Sequence, residues 1–373
     1  MNKIKIAFVD HARAMGGAEY SLYYLLKELD YNMVQPYLLT PPNSELQKMV
    51  ENLPSVRVIN MELDSIKNLK GFIKDIRDIR RFCKQEHIDI IHTNSYRGAI
   101  YGLIGGKLAR KKTVWHVRDI HESMLFKSIL PRLSDKIITI SNAVSNQFSK
   151  NTIHKKVNLI YNGVDLKLYN IQDIKGDLKS ELSISKDTFL IGMVGRIDRW
   201  KGFHYLIKSA SIIKNSSRKF KIVIVGDEIL TKEKGYLDEL KRLVIELDLE
   251  DKVEFLGTRK DIPNVMKSLD LFISYSNNEP FGRVIIEALA MKTPVIVANS
   301  GGAPEIILDS NCGDIVESNN EEHLAKSMLQ FMELSQQSLD LMGENGRERI
   351  EEFFSTELVA VKVTELYKKL YNN

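Results

Sequence analysis

Two glutamates eight positions apart, Glu279 and Glu287, frame the stretch "EPFGRVIIE". A buried strand, "LDLFISYS", ends just before them, and an apolar helical run begins behind Pro280. Proline suits a first helical position, so Glu279 is expected to stand as an N-cap-like acid. Eight residues at about 100° each then bring Glu287 to within about 80° of it around the helix axis. Carboxylates so spaced can accept hydrogen bonds from hydroxyls at both ends of an extended polyol ligand. Glu287 lies inside "VIIEALA", where a charge without a partner is costly, and a ligand contact would supply one. Phe281 and Gly282 offer backbone N–H groups beside it.

Other groups fit the same kind of ligand. In "GMVGRIDRWKGFHYLI" a strand ends at Gly195, and Arg196 and Lys201 put two cations on one loop. Such a pair suits a pyrophosphate and stabilises the charge that develops on a departing phosphate. In "DHARAMGGAEYSLYYLLKEL" the glycines Gly16 and Gly17 open a helix, where free N–H groups and the helix dipole favour an anion. "NSGGAPEII" repeats the device at 299–307. His116, in "TVWHVRD", stands near the end of another strand-like run. A capping acid, a solvated cation pair, a permissive turn and a structural histidine are the plain alternatives for these groups one by one.

The elements that must position them follow from the hydrophobic pattern. Short β-branched runs alternate with helix-period segments, and runs buried on both faces belong to parallel, doubly wound sheets. Seven strands are expected in the first half, from "KIAFV" to "VNLIY", and five in the second, "FLIGMVG", "FKIVIVG", "VEFLG", "LDLFISY" and "TPVIVAN". That is too many for one sheet. At 373 residues two domains are expected, divided near "YNGVDLKLYNIQDIKGD". The division reads as 1–165, 166–354 and a last amphipathic helix over 355–373, capped by Ser355. Ligands of such sheets gather at the carboxyl ends of the strands, where every group above is placed.

Composition narrows the partners. Cys83 and Cys312 are far apart and without metal-ligand spacing, which suits a reducing cytoplasm. "MNKIKIAFVD" reads as a first buried strand rather than a secretory signal. Residues 1–165 carry 25 Lys+Arg against 16 Asp+Glu, and the remainder 28 against 33. An anionic partner of the first half is therefore plausible. The segment 66–84 has an apolar stripe at 66, 69, 72, 73, 76, 79, 82 and 83 and a basic face (Lys67, Lys70, Lys74, Arg77, Arg80, Arg81, Lys84). Such a helix either lies on an anionic membrane or packs its stripe on the sheet with the charges solvated, and the two are compatible. No G-x-G-x-x-G and no Walker A lysine occur, which argues against a dehydrogenase and a P-loop enzyme. The aromatic interleaving of a nucleic-acid platform is also missing, so no nucleic-acid partner is expected.

Taken in order, "GR…KG", the E-x7-E, "GG-x-PE" and "NGVD" resemble the retaining GT-B glycosyltransferases of family 4, over nearly the whole chain. The resemblance implies two Rossmann-like domains facing a cleft, the last helix crossing back to the N-terminal one. It implies a nucleoside-diphosphate sugar as co-substrate, UDP-linked before GDP-linked, with a glycan or lipid-linked glycan as acceptor, in surface-polysaccharide assembly. Carried over, Arg196 and Lys201 would clasp the diphosphate with Gly17 approaching from the other domain. Glu279 would bind hydroxyls of the transferred sugar, with Phe281 and Gly282 near sugar and phosphate. Glu287 would take the ribose, and His116 would orient the sugar or accept the incoming proton. Base recognition falls near 257–262, and 119–133, with exposed-looking Met124, Leu125 and Phe126, is the acceptor-side loop. No cofactor and no divalent metal are expected, since no D-x-D motif occurs. Lys292 replaces a frequent family glycine and must tolerate a helix-ending conformation. A sugar-nucleotide 2-epimerase and a non-catalytic sugar-binding protein are the alternatives. The expected location is cytoplasmic, peripheral on the inner face of the membrane.

Overall fold

The computed structural model describes residues 3–63, 66, 68–121, 123–148, 151–229, 231 and 234–372, with 151 and 152 described by backbone alone. The chain forms two compact units, Met1–Gly163 with Ser355–Asn373, and Val164–Phe354.

Each unit is built on a wholly parallel sheet. In the first, β1 (Ile4–Val9), β2 (Val34–Thr40), β3 (Arg57–Asn60), β4 (Ile90–Thr93), β5 (Lys112–Val117), β6 (Lys136–Thr139) and β7 (Val157–Leu159) lie in the order β3-β2-β1-β4-β5-β6-β7. In the second, β8 (Phe189–Val194), β9 (Phe220–Val225), β10 (Val253–Gly257), β11 (Leu271–Ser274), β12 (Val295–Ala298) and β13 (Gly313–Val316) lie in the order β10-β9-β8-β11-β12-β13. The order reverses between β1 and β4 and again between β8 and β11. Crevices open at the carboxyl ends of the strands at such reversals. The inner strands are buried on both faces, as in "IIHT" and "LFIS", because helices cover both sides.

β13 adds a sixth strand where five were expected. Its sequence, "GDIV", opens on glycine and aspartate and carries little strand signal. Gly313 lies so close to its neighbour that a Cβ there would sit 2.2 Å from the Val295 carbonyl oxygen.

The closing helix, Thr356–Tyr371, is capped by the Ser355 hydroxyl, which accepts from the Leu358 N–H. Ala360, Val363, Leu366, Tyr367 and Leu370 enter the first unit's core beside Leu22, Leu25 and Leu26 of the helix Gly17–Glu28. Each large buried side chain contributes about 1.5–3 kcal/mol before ordering costs, which binds this last segment to the N-terminal unit. Gly163 explains part of "NGVD": a Cβ there would stand 2.6 Å from the Ser355 carbonyl oxygen.

The basic helix runs over Leu69–Gln85, starting later than 66 because Asn68 caps it by accepting from the Gly71 N–H. Ile76, Ile79 and Cys83 are buried, whereas Ile66, Leu69 and Ile73 of the expected stripe are exposed. Lys67 lies outside the described residues. Among the described residues, no helix is long and apolar enough to cross a membrane.

Candidate functional site

In the C-terminal unit, three loops that follow β8, β11 and β12 are tied into one structure. The Lys201 ammonium donates to Glu279 at 2.6 Å and sits over the Trp200 ring, 4.1 Å from its centroid. The Asn277 N–H donates to the Trp200 carbonyl at 2.7 Å, so the cation loop and the glutamate turn share a backbone bond. The Gly302 N–H donates to the Glu279 carbonyl at 2.7 Å, and the Asn278 N–H to Ser300 Oγ at 2.7 Å. Gly301, at φ +65°, passes so close that a Cβ would lie 2.1 Å from the Glu279 carbonyl oxygen. The glycines of "NSGGAPE" therefore shape the turn that carries Glu279. Arg196 is half-exposed and pairs within its own loop with Asp198 at 3.0 Å.

The helix carrying Glu287 spans Arg283–Ala290 and does not begin at Pro280. Gly282, at φ +103°, stands at its N-cap in the left-handed region, so the helical run cannot extend back through it. Glu279 belongs to the preceding turn, and the expected 80° relation along one helix does not hold. The Phe281 side chain is buried against Phe354, 6.0 Å between ring centroids.

Glu287 also differs from expectation, because it has partners. Arg283, one helical turn earlier, donates to it at 3.3 Å, and the Tyr169 side chain hydrogen-bonds to it. Burial pushes its carboxyl up from the ordinary range, and the Arg283 charge and the Tyr169 bond pull it back. Glu287 is therefore not an unpaired charge that needs a ligand to satisfy it. An ionised carboxylate offers about four acceptor sites, so two partners leave room for further hydroxyls.

Lys292 adopts φ +61° where glycine is frequent, and its ammonium pairs with Glu344. In the 257–262 loop, Arg259 is clamped between Glu181 and Asp261 at 2.7 Å each.

Gly16, Gly17 and His116 belong to the N-terminal unit. The Gly16 N–H is already engaged, donating to Glu19 Oε2 at 2.8 Å. Burial first, then the neighbouring Asp10, pushes the Glu19 carboxyl up to about 7. His116, the next-to-last residue of β5, is one member of a buried polar network that the sequence did not disclose. Its Nδ1 lies 3.2 Å from His92 Nε2 and 3.3 Å from Arg118 Nη2. His92 Nδ1 is 2.6 Å from the Tyr367 hydroxyl on the closing helix. Arg118 also donates to Asn94 Oδ1 at 3.0 Å and Asn162 Oδ1 at 2.5 Å, and Asn94 donates to Asp10 at 2.9 Å. Burial, with the Arg118 charge second, depresses His92 to about 3 and holds His116 well below the usual imidazole range. Both rings are therefore neutral near pH 7.

Asp10, His92, Asn94, Arg118 and Tyr367 are the residues sequence reading missed. The signal was the paired strand ends "HTNS" and "HVRD". β4 pairs with β5 so that His92 stands opposite Val114, and His116, two residues on, shares its face.

The 119–133 segment is not a loop throughout: it is helical from Leu125 to Leu133, with Met124 exposed and Leu125 and Phe126 half-buried. Phe126 stacks on His121 with ring centroids 4.3 Å apart and tilts against Trp115. Among the described residues, no group of three or more His, Cys, Asp or Glu side chains could hold a metal ion.

Comparison with known proteins bears on both units. Residues 175–349 match the family "Glycosyl transferases group 1", and residues 15–168 match "Glycosyltransferase Family 4". The chain is 29% identical over 321 residues to UDP-Gal:alpha-D-GlcNAc-diphosphoundecaprenol alpha-1,3-galactosyltransferase of Escherichia coli, covering 81% of this chain and 80% of that protein. A glycosyltransferase crystal structure from Rickettsia africae superposes with a TM-score of 0.90 at 27% identity over the full length of both chains. HepE of Anabaena, crystallised in complex with UDP-glucose, superposes at 0.82 with 26% identity, covering 98% of this chain and 99% of that one.

Proposed function

Because this chain belongs to the family 4 glycosyltransferases of the GT-B fold, we propose that it is a retaining, metal-independent hexosyltransferase acting on a UDP-sugar. Its acceptor on this reading is a glycan or lipid-linked glycan, in surface-polysaccharide assembly. A UDP-linked donor is supported by the galactosyltransferase relative and by the UDP-glucose held by HepE. The observation that carries the reading is the locked triple loop. Lys201 is already held against the acid, Glu279, assigned to the transferred sugar.

In this mechanism Arg196 and Lys201 take up the diphosphate and stabilise the charge that grows on it as the glycosidic bond breaks. These two cations supply the neutralisation a divalent ion would otherwise provide. Glu279 orients the sugar through its hydroxyls, and Glu287 takes the ribose with its remaining acceptor sites. His116 meets the transferred sugar. Calorimetric titration with UDP, GDP, ADP and dTDP in EDTA tests the reading. UDP is expected to bind, and Arg196→Ala or Lys201→Ala to weaken it by about 10–100-fold, the loss of a charge-assisted contact of roughly 1.5–3 kcal/mol. Silence from all four nucleotides overturns it.

The location proposed with this function is the surface of an anionic membrane. Ile66, Leu69 and Ile73 are exposed beside Lys70 and Lys74 at the start of the basic helix, a combination of apolar insertion and positive charge suited to lipid. Co-sedimentation with vesicles containing phosphatidylglycerol is expected, and replacing the three apolar residues by serine should abolish it. Equal sedimentation of the triple variant refutes this.

A further inference from the structure

We propose that Tyr367 and His92 are positioning residues that, with Arg118, hold His116 as a neutral ring protonated on Nε2 and offer that N–H to an oxygen of the bound donor. The identity of the oxygen rests on the glycosyltransferase reading; the order of protons does not.

The order follows from one fixed group. A guanidinium has donors and no acceptor, and Arg118 is anchored by Asn94 and Asn162, so its N–H fixes His116 Nδ1 as an acceptor. The neutral His116 ring must then carry its proton on Nε2. His92 Nε2 faces the same Nδ1 at 3.2 Å. Two lone pairs would repel there, so His92 Nε2 carries a proton and donates. His92 Nδ1 is left as an acceptor, and at 2.6 Å the Tyr367 hydroxyl is its donor. The protons run one way, from Tyr367 through His92 to His116.

The chain ends on an atom with nothing to bond. Among the described residues, His116 Nε2 is buried without a hydrogen-bond partner, while His92, His116 and Tyr367 are at most 2% exposed. Buried N–H groups are rarely left so, because the desolvation is uncompensated. Three partners converge on the opposite nitrogens of the two rings, and the last N–H is kept for a ligand. Burial and the Arg118 charge keep both rings neutral, which preserves the direction. Residues behind a functional histidine set its tautomer in the same way at metal sites.

Ring-nitrogen shifts of the full-length protein, labelled with 15N-histidine, test the order directly, with signals assigned by His92→Gln and His116→Gln. Both rings are expected to be protonated on Nε2 and bare on Nδ1. Tyr367→Phe should move His92 toward mixed tautomers and lower kcat for UDP-sugar turnover by about tenfold, one lost hydrogen bond, with KM changed less than twofold. His92→Phe should lose as much. His92→Gln keeps an N–H at the Nε2 position and should retain kcat within about threefold. A His116 proton on Nδ1 overturns the proposal, as does an unchanged kcat in Tyr367→Phe. If no nucleotide sugar is turned over at all, the glycosyltransferase reading fails. The nitrogen shifts still decide the order of protons.

Discussion

Glu19→Gln changes how the N-terminal unit responds to acid, and the size of the change can be worked from the buried groups. Glu19 is 7% exposed, and burial raises its folded value to about 7 against an ordinary 4.5. Its contribution to stability is therefore fully present below pH 4.5 and is lost as pH rises toward 7. His92 is fully buried and depressed from 6.5 to about 3. Its contribution has the opposite sign, complete above pH 6.5 and lost as pH falls toward 3. Between pH 4.5 and 6.5 the folded protein holds one extra proton at Glu19 and lacks one at His92, so their slopes cancel. Asp10, raised by burial, and His116, depressed by it, form a second opposed pair. Glutamine removes one titration while its amide oxygen still accepts from the Gly16 N–H. The uncovered slope is about 1.4 kcal/mol per pH unit, or roughly 2 kcal/mol across 1.5 units. Urea unfolding of the full chain, followed by the buried Trp115 in a Trp200→Phe background, reads it. From pH 6.3 down to 4.8 the variant should lose roughly 2 kcal/mol relative to wild type. Parallel curves would refute the assignment of these buried protons.

Two further outcomes concern the C-terminal unit. Lys201→Met leaves Glu279 largely buried without the cation now 2.6 Å away, and should cost about 1–3 kcal/mol in urea unfolding. Adding Glu279→Gln should recover most of that, and a coupling near zero in the double-mutant cycle would count against the pair. Gly301→Ala forces a Cβ against the Glu279 carbonyl at a positive φ. It should cost at least about 2 kcal/mol and weaken UDP binding measured by calorimetry, and an unchanged melting temperature would contradict the close approach.

The sequence disclosed the strands whose chemistry is unambiguous. "KIAFV", "FKIVIVG" and "LDLFISY" are runs that only a strand buried on both faces explains, and such strands bring their loops to the carboxyl edge without further information. It did not disclose β13, because Gly313 and Asp314 give no periodic signal. That strand exists through backbone pairing with β12. Nor did it show where the Glu287 helix begins. Proline at 280 and a left-handed glycine at 282 are both consistent with a helix start, and only the φ of Gly282 decides between them. The Arg283–Glu287 pair is readable from its i,i+4 spacing, although the apolar neighbours of Glu287 in "VIIEALA" suggest a charge without a partner.

The histidine network shows a deeper limit. His92, His116 and Tyr367 are separated by 24 and 275 residues across the two bonds that join them. Nothing local links them: "HTNS" reads as the end of a strand, and Tyr367 as a core aromatic on an amphipathic helix. Their meeting depends on the β4–β5 register, which fixes a shared face, and on the closing helix returning to the sheet it left at Gly163. A motif can be recognised from adjacent residues, as "EPFG" and "GR…KG" were. The proton order behind His116 depends on strand order and a returning helix, and those are properties of the folded unit.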